Sequence, residues 1–151
     1  MFDEGETMPQ ISRSALVPFS AQQMFNLVND VESYPIFLPG CAGSKIIESS
    51  ASHMMASVDV AKAGIRKTFV THNKLVDFNQ IQMQLVDGPF RKLVGGWTFT
   101  ELDATACKIE LNLEFEFTSG LIDVAFGKIF RDLTGNMVQA FTQRAREVYA
   151  F

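Results

Sequence analysis

The sequence has few of the residues that most enzyme and metal sites need. It contains two cysteines and two histidines among 151 residues, and Cys41 and Cys107 lie far apart, with no C-x-x-C motif and no histidine nearby. This pattern excludes a recognisable zinc site and is typical of a reducing cytosol. No G-x-S-x-G, H-E-x-x-H, P-loop or G-x-G-x-x-G motif occurs, and no apolar run approaches the ~20 residues of a membrane span. These absences predict a cytoplasmic, non-enzymatic protein.

Positive charge is also in short supply. The formal net charge is −4, which argues against a general nucleic-acid binder, because such proteins are strongly basic. The opening "MFDEGETM" holds three acidic residues, no basic residue and no apolar core of a signal peptide. Residues 1–8 are therefore predicted to form a flexible acidic tail, with Met8 as an alternative start. Residues 9–151 have the length of a single domain.

Large apolar side chains, in contrast, are abundant. The chain has 14 Phe and 7 Met, against 2 Tyr and 1 Trp. Phenylalanine fills volume without a hydroxyl group that needs a partner, and methionine adapts to irregular gaps. Two interpretations follow: a tightly packed apolar core, or an interior that accepts an apolar guest molecule.

Hydrophobic periodicity predicts the order of the elements. "PQISRSALV" (9–17) is a strand candidate, and the next segment is a helix that Ser20 can cap. From 44 to 117 the period is two, with six strand candidates separated by the breaks "SSAS", "AKAG", "DFNQ", "DGPF" and "LDATA". In "KIELNLEFEF", apolar and polar residues alternate strictly. This alternation predicts an antiparallel meander with one dry face and one wet face.

The period then changes to 3.6 over about 30 residues, which predicts one long helix from near Ser119 almost to the C-terminus. With no helical partner of similar length, its apolar stripe must lie across the dry face of the sheet. The fold class is therefore α+β, with a curved antiparallel sheet gripping a long C-terminal helix. Glycines inside this helix (Gly127, Gly135) and inside a strand (Gly95, Gly96) predict either close packing or a bulged, bent sheet that leaves a cavity.

The stretch "SYPIFLPGC" (33–41) is unusually apolar for its predicted structure. Pro35 and Pro39 lie too close together for a helix interior or a central strand, so the segment is predicted to be a loop. Loops normally run over the surface and are polar. An apolar loop of this kind is expected to face a cavity or a lipid surface.

Basic residues are concentrated in one third of the chain. Only two acidic residues oppose the six basic residues between 62 and 92, which are Lys62, Arg66, Lys67, Lys74, Arg91 and Lys92. If neighbouring hairpins bring "AKAGIRK" and "GPFRK" together, a patch that could contact phosphate results; otherwise the charges form a scattered, solvated face. No aromatic ladder accompanies them, which disfavours binding of single-stranded nucleic acid. Neither His53 nor His72 is assigned a chemical role, and the parity of His72 points to solvent.

Two long motifs carry a family resemblance. "LVPFSAQQMFNLVNDVESYPIFLPGC" and "LVDGPFRKLVGGWTF", followed by an "EFEF" strand and a long terminal helix, resemble the coenzyme Q-binding and polyketide-cyclase-like branch of the START superfamily. Within that branch, the chain is most similar to the bacterial ribosome association toxins, over residues 8–150. The resemblance implies a helix-grip fold with a deep apolar cavity between the sheet and the long helix.

The resemblance implies, first, non-enzymatic binding of ubiquinone or a similar polyisoprenoid in that cavity, in support of respiration, with transient contact at the inner-membrane surface. Apolar burial stabilises such a guest without directional contacts, and no other cofactor is expected. The candidate ligand-binding residues are Tyr34, Pro35, Phe37, Leu38, Pro39, Phe69, Met83, Trp97, Phe99, Phe115, Phe126, Phe130 and Met137.

The resemblance implies, as an alternative, a toxin that binds the large ribosomal subunit and blocks its joining with the small one. The candidate ribosome contacts are Lys62, Arg66, Lys67, Arg91 and Lys92. Both activities can coexist, because one uses the interior and the other the exterior. A cyclase-type enzyme is a third alternative, but it needs a polar group inside the cavity, and the sequence offers no convincing one.

Overall fold

The computed structural model describes residues 10–149. The acidic tail predicted for residues 1–8 lies outside the described residues. The elements are β1 (Gln10–Val17), α1 (Ala21–Asn29), a 3₁₀ turn (Val31–Ser33), α2 (Tyr34–Phe37), β2 (Cys41–Ser49), β3 (His53–Lys62), β4 (Ile65–Val76), β5 (Gln80–Asp87), β6 (Phe90–Asp103), β7 (Ala106–Phe117), α3 (Gly120–Ile122), a π-helical turn (Asp123–Gly127), α4 (Lys128–Gly135) and α5 (Met137–Tyr149).

The seven strands form one antiparallel sheet in the order β1-β7-β6-β5-β4-β3-β2. Consecutive strands from β2 to β7 are neighbours, and β1 pairs with β7 at full length. Turn chemistry fixes this meander locally. The β3–β4 hairpin turns over two residues, Ala63 and Gly64, both with positive φ, which is the turn that matches the twist of paired strands. The predicted α+β meander is confirmed.

The two faces of the sheet differ as the alternation predicted. On β7, residues Ile109, Leu111, Leu113, Phe115 and Phe117 are all buried, whereas the residues between them are half-buried or exposed. The helices cover the buried face, which we call the inner face. The opposite, outer face carries no helix among residues 10–149.

Helix α1 begins as its sequence predicts. The Ser20 hydroxyl accepts a hydrogen bond from the Gln23 amide, and the Gln23 side chain accepts one from the Ser20 amide. This capping box satisfies two amide groups that the first helical turn leaves without partners. The helix then buries Met24, Phe25 and Leu27.

The segment 33–41, predicted as a loop, is partly helical, and that prediction was wrong. The chain forms a 3₁₀ turn followed by α2, with Pro35 in the first helical turn. Proline is tolerated there because its missing N–H has no partner within the helix in any case. Tyr34 and Leu38 point inwards and are buried, whereas Ile36 is 69% exposed. The apolar segment therefore faces the interior with some side chains and solvent with others.

The predicted C-terminal helix is present, but it is interrupted. Ser119 caps its start, a π-helical turn follows, and Asn136 separates α4 from α5. A Cβ atom at Gly127 would lie 2.3 Å from a carboxylate oxygen of Asp123, so a larger residue there would displace the Asp123 side chain. That carboxylate pairs with Arg131 at 2.9 Å. None of the helices among residues 10–149 combines the length and apolarity that crossing a membrane requires.

Candidate functional site

A small internal cavity lies between the inner face of the sheet and the helices. Its volume is about 60 Å³, whereas a cavity of about 150 Å³ is needed for a benzene-sized ring. Within residues 10–149, this cavity is therefore too small for the prenyl chain that the resemblance implies. The lining residues are Val31, Tyr34, Leu38, Ala56, Val58, Phe69, Thr71, Asn73, Met83, Leu93, Trp97, Leu113, Phe130, Leu133, Thr134 and Met137.

Aromatic side chains occupy the space that a larger cavity would need. Phe130 lies at the centre, with its ring centroid 4.8 Å from that of Phe90 and 5.0 Å from that of Phe115. Phe117 and Phe126 extend this cluster, with centroids 6.0 Å apart. The abundance of phenylalanine therefore supports the packed-core interpretation in this part of the interior.

The predicted ligand-binding residues fall into three groups in the structure. Seven line the internal cavity: Tyr34, Leu38, Phe69, Met83, Trp97, Phe130 and Met137. Phe99, Phe115 and Phe126 are buried but lie away from the cavity and fill the core. Pro35 is exposed, and Phe37 and Pro39 line an open groove between α2 and α5 on the outside. The structure thus brings together about half of the predicted set.

The cavity contains a buried polar pair that the sequence reasoning missed. Thr71 and Asn73 are 6% and 5% exposed, and the Thr71 hydroxyl donates a hydrogen bond of 2.9 Å to the Asn73 side-chain oxygen. Asn73 lines the cavity, and a polar side chain in a largely apolar enclosure favours a ligand oxygen or a water as a further partner. The signal was available in strand parity, because Thr71 and Asn73 share the parity of the inward-facing Phe69 and Leu75.

The cavity has little capacity for acid–base chemistry. Among residues 10–149, its lining includes no carboxylate, imidazole or amine. Its one titratable group is Tyr34, whose hydroxyl donates to the Val28 carbonyl, and complete burial raises the pKa of that hydroxyl. Burial likewise raises the pKa of the Cys107 thiol to about 11, so this thiol is not a nucleophilic thiolate at neutral pH.

The predicted ribosome contacts do not form one free basic surface. The β3–β4 and β5–β6 hairpins, which carry the predicted contacts, lie at the same end of the sheet. A Cβ atom on Gly88 would lie 2.7 Å from the Cβ atom of Phe69. The strand register, however, places the predicted contact residues on different faces of the sheet. Lys62 and Lys67 pair opposite Ile65 and Val60 and so lie on the inner side.

The other three predicted contacts lie on the outer face and form ion pairs. Arg66 pairs with Asp59 at 2.7 Å, Arg91 with Glu116 at 2.8 Å, and Lys92 with Glu114 at 3.8 Å. These carboxylates offset the charge that a phosphate contact would need. We call Arg66, Arg91 and Lys92 the ion-paired rim.

Comparison with known proteins places this geometry in a family. The family model described as "Polyketide cyclase / dehydrase and lipid transport" matches residues 17–142. The ribosome association toxin RatA of Escherichia coli (strain K12) is 64% identical over 143 residues, which cover 95% of this chain and 90% of that protein. The mitochondrial coenzyme Q-binding protein COQ10 homolog B of Xenopus laevis is 27% identical over 149 residues, covering 96% of this chain and 61% of that protein.

Solved structures agree with the fold. A START superfamily protein from Mycobacterium smegmatis superposes with a TM-score of 0.76 at 21% identity, covering 92% of this chain and 98% of that one. The ZhuI aromatase/cyclase from Streptomyces sp. R1128 gives 0.78 at 18% identity, covering 95% and 98%. The fold therefore includes enzymes as well as proteins named for binding. By the match of its motifs, strands and terminal helix over most of its length, the chain belongs to the polyketide cyclase / dehydrase and lipid transport family, with a START-like fold.

Proposed function

We propose that this protein associates with the ribosome, binding the large subunit and blocking its joining with the small one. The observation that carries the proposal is the 64% identity over nearly the whole chain to a protein named as a ribosome association toxin. A 66% identity over 94% of the chain to the protein of that name in Vibrio cholerae supports it further. The small internal cavity agrees with this proposal, because an external partner requires no internal space.

The test is sedimentation of ribosomes with the purified protein. When separated subunits are mixed at a magnesium concentration that permits joining, increasing protein should hold them as free subunits. The protein should sediment with the large subunit and not with the small one, because only one of them carries its site. Leu121→Ala, a change at a 77% exposed side chain away from both the cavity and the outer face, provides a control that should act like the wild type. Protein that stays at the top of the gradient would contradict the proposal.

A second candidate function is binding of a quinone-like apolar molecule in the internal cavity. The observation that favours it is the Thr71–Asn73 pair, a hydrogen-bonding group in an otherwise apolar enclosure. Sites for small apolar ligands are lined mainly by apolar groups, with a few polar groups that fix the orientation. The cavity must expand first, and Met83 and Met137 on its wall are the most adaptable side chains there.

Trp97 supplies the measurement for this candidate. It is the single tryptophan of the chain, it lines the cavity, and it is 2% exposed. Titration with a short-chain ubiquinone analogue should quench its fluorescence. Asn73→Leu, which keeps the volume but removes the amide, should weaken binding about threefold to tenfold, as expected for one hydrogen bond. Gln82→Leu on the exposed outer face should leave binding unchanged, and a wild type without saturable quenching would exclude this function.

A further inference from the structure

The outer face of the sheet carries a cluster of polar side chains at its centre. Two cross-strand rows lie side by side: one runs through His53, Lys74 and Gln82, and the other through His72 and Gln84. Directly opposed residues of an antiparallel sheet point to the same face. We call these five residues the imidazole–amide surface.

The two imidazoles of this surface are in contact. The ring centroids of His53 and His72 lie 4.9 Å apart, with the planes inclined by 31°. His53 is exposed and His72 is half-buried, so the His53 ring offers a planar face to a ligand. Beside them lies an open groove of about 440 Å³, whose far wall is formed by Val94 and Gly95.

Beside this groove, one position of the outer face lacks a side chain because it is a glycine. Gln82 pairs opposite Gly96, which contributes no side chain, and Gln84 pairs opposite Val94. The exposed amide of Gln82 donates to the Gln80 side-chain oxygen at 2.8 Å. The groove is therefore open, and its lining combines polar side chains with the apolar Met83 and Val94.

The charge on this surface differs from that of the ion-paired rim. No carboxylate lines the groove, although Glu48 lies in a small depression at the edge of the sheet, next to both imidazoles. Lys74 is exposed and forms no ion pair within residues 10–149, whereas Lys92 on the same face is paired with Glu114. On a chain of net charge −4, this is a local region that favours an anionic partner.

We propose that the imidazole–amide surface is the contact for a single-stranded segment of ribosomal RNA. Unpaired bases stack on planar side chains and form hydrogen bonds along their edges, which the imidazoles and the two glutamine amides can provide. Lys74 supplies the phosphate contact. A protein partner is favoured less, because this surface has no Trp, Tyr or Arg, the side chains that dominate protein interfaces.

The surface went unnoticed in the sequence because His53 and His72 are 19 positions apart and lie on different strands. In the sequence, no aromatic ladder accompanies the basic residues, and this absence disfavours single-stranded binding. Antiparallel pairing of β3 with β4 brings the two rings together and places them beside Lys74. Planar groups and a cation are thus combined only in the folded sheet.

The inference rests on the proposed association with the ribosome, and the experiment separates the two. Purified large ribosomal subunits are titrated with the wild type, with His53→Ala/His72→Ala, with Lys74→Glu and with Lys92→Glu. The double histidine variant should bind about tenfold more weakly, as expected for loss of base stacking. Lys74→Glu should weaken binding by at least a similar factor. Lys92→Glu, with the same charge change on the same face, should stay within about threefold of the wild type.

Salt dependence and crosslinking identify the partner. Lys74→Ala should reduce the slope of log affinity against log salt by about 0.7, as expected for one lost contact to single-stranded phosphate. Ultraviolet crosslinking should join ribosomal RNA to peptides containing residues 53–84. If the wild type binds no subunit, the proposed function fails. If the wild type binds and Lys74→Glu weakens binding no more than Lys92→Glu does, or if the crosslinks join only ribosomal protein, the inference is overturned while the function stands.

Discussion

Gly96→Ala should destabilise the protein by more than about 4 kcal/mol, an effect that single substitutions rarely reach. A Cβ atom at Gly96 would lie 2.0 Å from the carbonyl oxygen of Ile81 on the neighbouring strand. Its φ of +150° is, in addition, one that residues with side chains rarely adopt. Since the obstacle is backbone within a central strand pair, no side-chain rotation relieves it. Urea or guanidinium unfolding, followed by circular dichroism, measures the loss.

Gly120→Ala is the matched control for this prediction. A Cβ atom there meets no atom within 4 Å, and alanine favours helix over glycine. The free energy of unfolding should change by less than about 1 kcal/mol, in the stabilising direction. A Gly96→Ala protein as stable as Gly120→Ala would mean that the strand pair can separate without cost, and the close approach of the backbones would then be wrong.

The position of Gly96 also bears on function. Of the two alternatives for Gly95 and Gly96, the bulge is absent, because the pairing of β5 with β6 and of β6 with β7 runs through both residues without a change of register. The glycines instead allow close approach of the neighbouring carbonyl groups. Gly96 also pairs opposite Gln82 on the outer face, so it adds no side chain beside the imidazole–amide surface.

Phe130→Ala should lower the free energy of unfolding by about 3–5 kcal/mol, the range for deleting a buried aromatic side chain. The Phe130 side chain is 1% exposed, and its ring contacts five other phenylalanine rings, those of Phe69, Phe90, Phe115, Phe117 and Phe126. Denaturant unfolding measures this change as well. Leu121→Ala removes a side chain that is 77% exposed and should stay within about 0.5 kcal/mol of the wild type.

Phe130→Ala also distinguishes an interior that serves only as a packed core from one that binds a ligand. Phe130 lines the internal cavity, so its truncation enlarges the space beside Thr71 and Asn73. If the cavity takes a quinone-like ligand, the ubiquinone analogue should quench the Trp97 fluorescence of Phe130→Ala more readily than that of the wild type. Binding should also restore part of the stability that the substitution removes. A loss of less than about 1.5 kcal/mol would show that the aromatic cluster rearranges to fill the gap.

Ribosome association and ligand binding make different demands on this fold. A ribosomal contact requires a fixed outer surface, and the sheet provides one because its inner face is packed against the helices. A long apolar ligand requires the helices to move away from the sheet, and the interruption at Asn136 and the π-helical turn mark where the terminal helix departs from regular geometry. In this conformation, the packed aromatic cluster favours a fixed outer surface, as a ribosomal contact requires, over an interior that opens for a ligand.

Much of the fold could be predicted from local patterns. Period-two alternation located the strands and separated the inner from the outer residues of β7. Ser20 marked the start of α1 through its cap, and the change of period marked the start of the terminal helix near Ser119. The segment at Tyr34 was assigned as a loop because two prolines suggested a break, although proline at the first turn of a helix is compatible with it. Roughly half of the predicted ligand residues line the cavity, since parity tells which face a residue occupies and not how deep a void lies beneath it.

By itself, the sequence determined the α+β class, the meander, the helix across the dry face and the family, because each of these depends on periodicity or on motifs that are continuous in the chain. Only the tertiary structure decided the size of the cavity, the neutralisation of Arg66, Arg91 and Lys92 by carboxylates, and the meeting of His53 with His72. The reason is physical: packing volume and charge pairing depend on distances between strands that are remote in sequence, and the register of the sheet alone sets those distances.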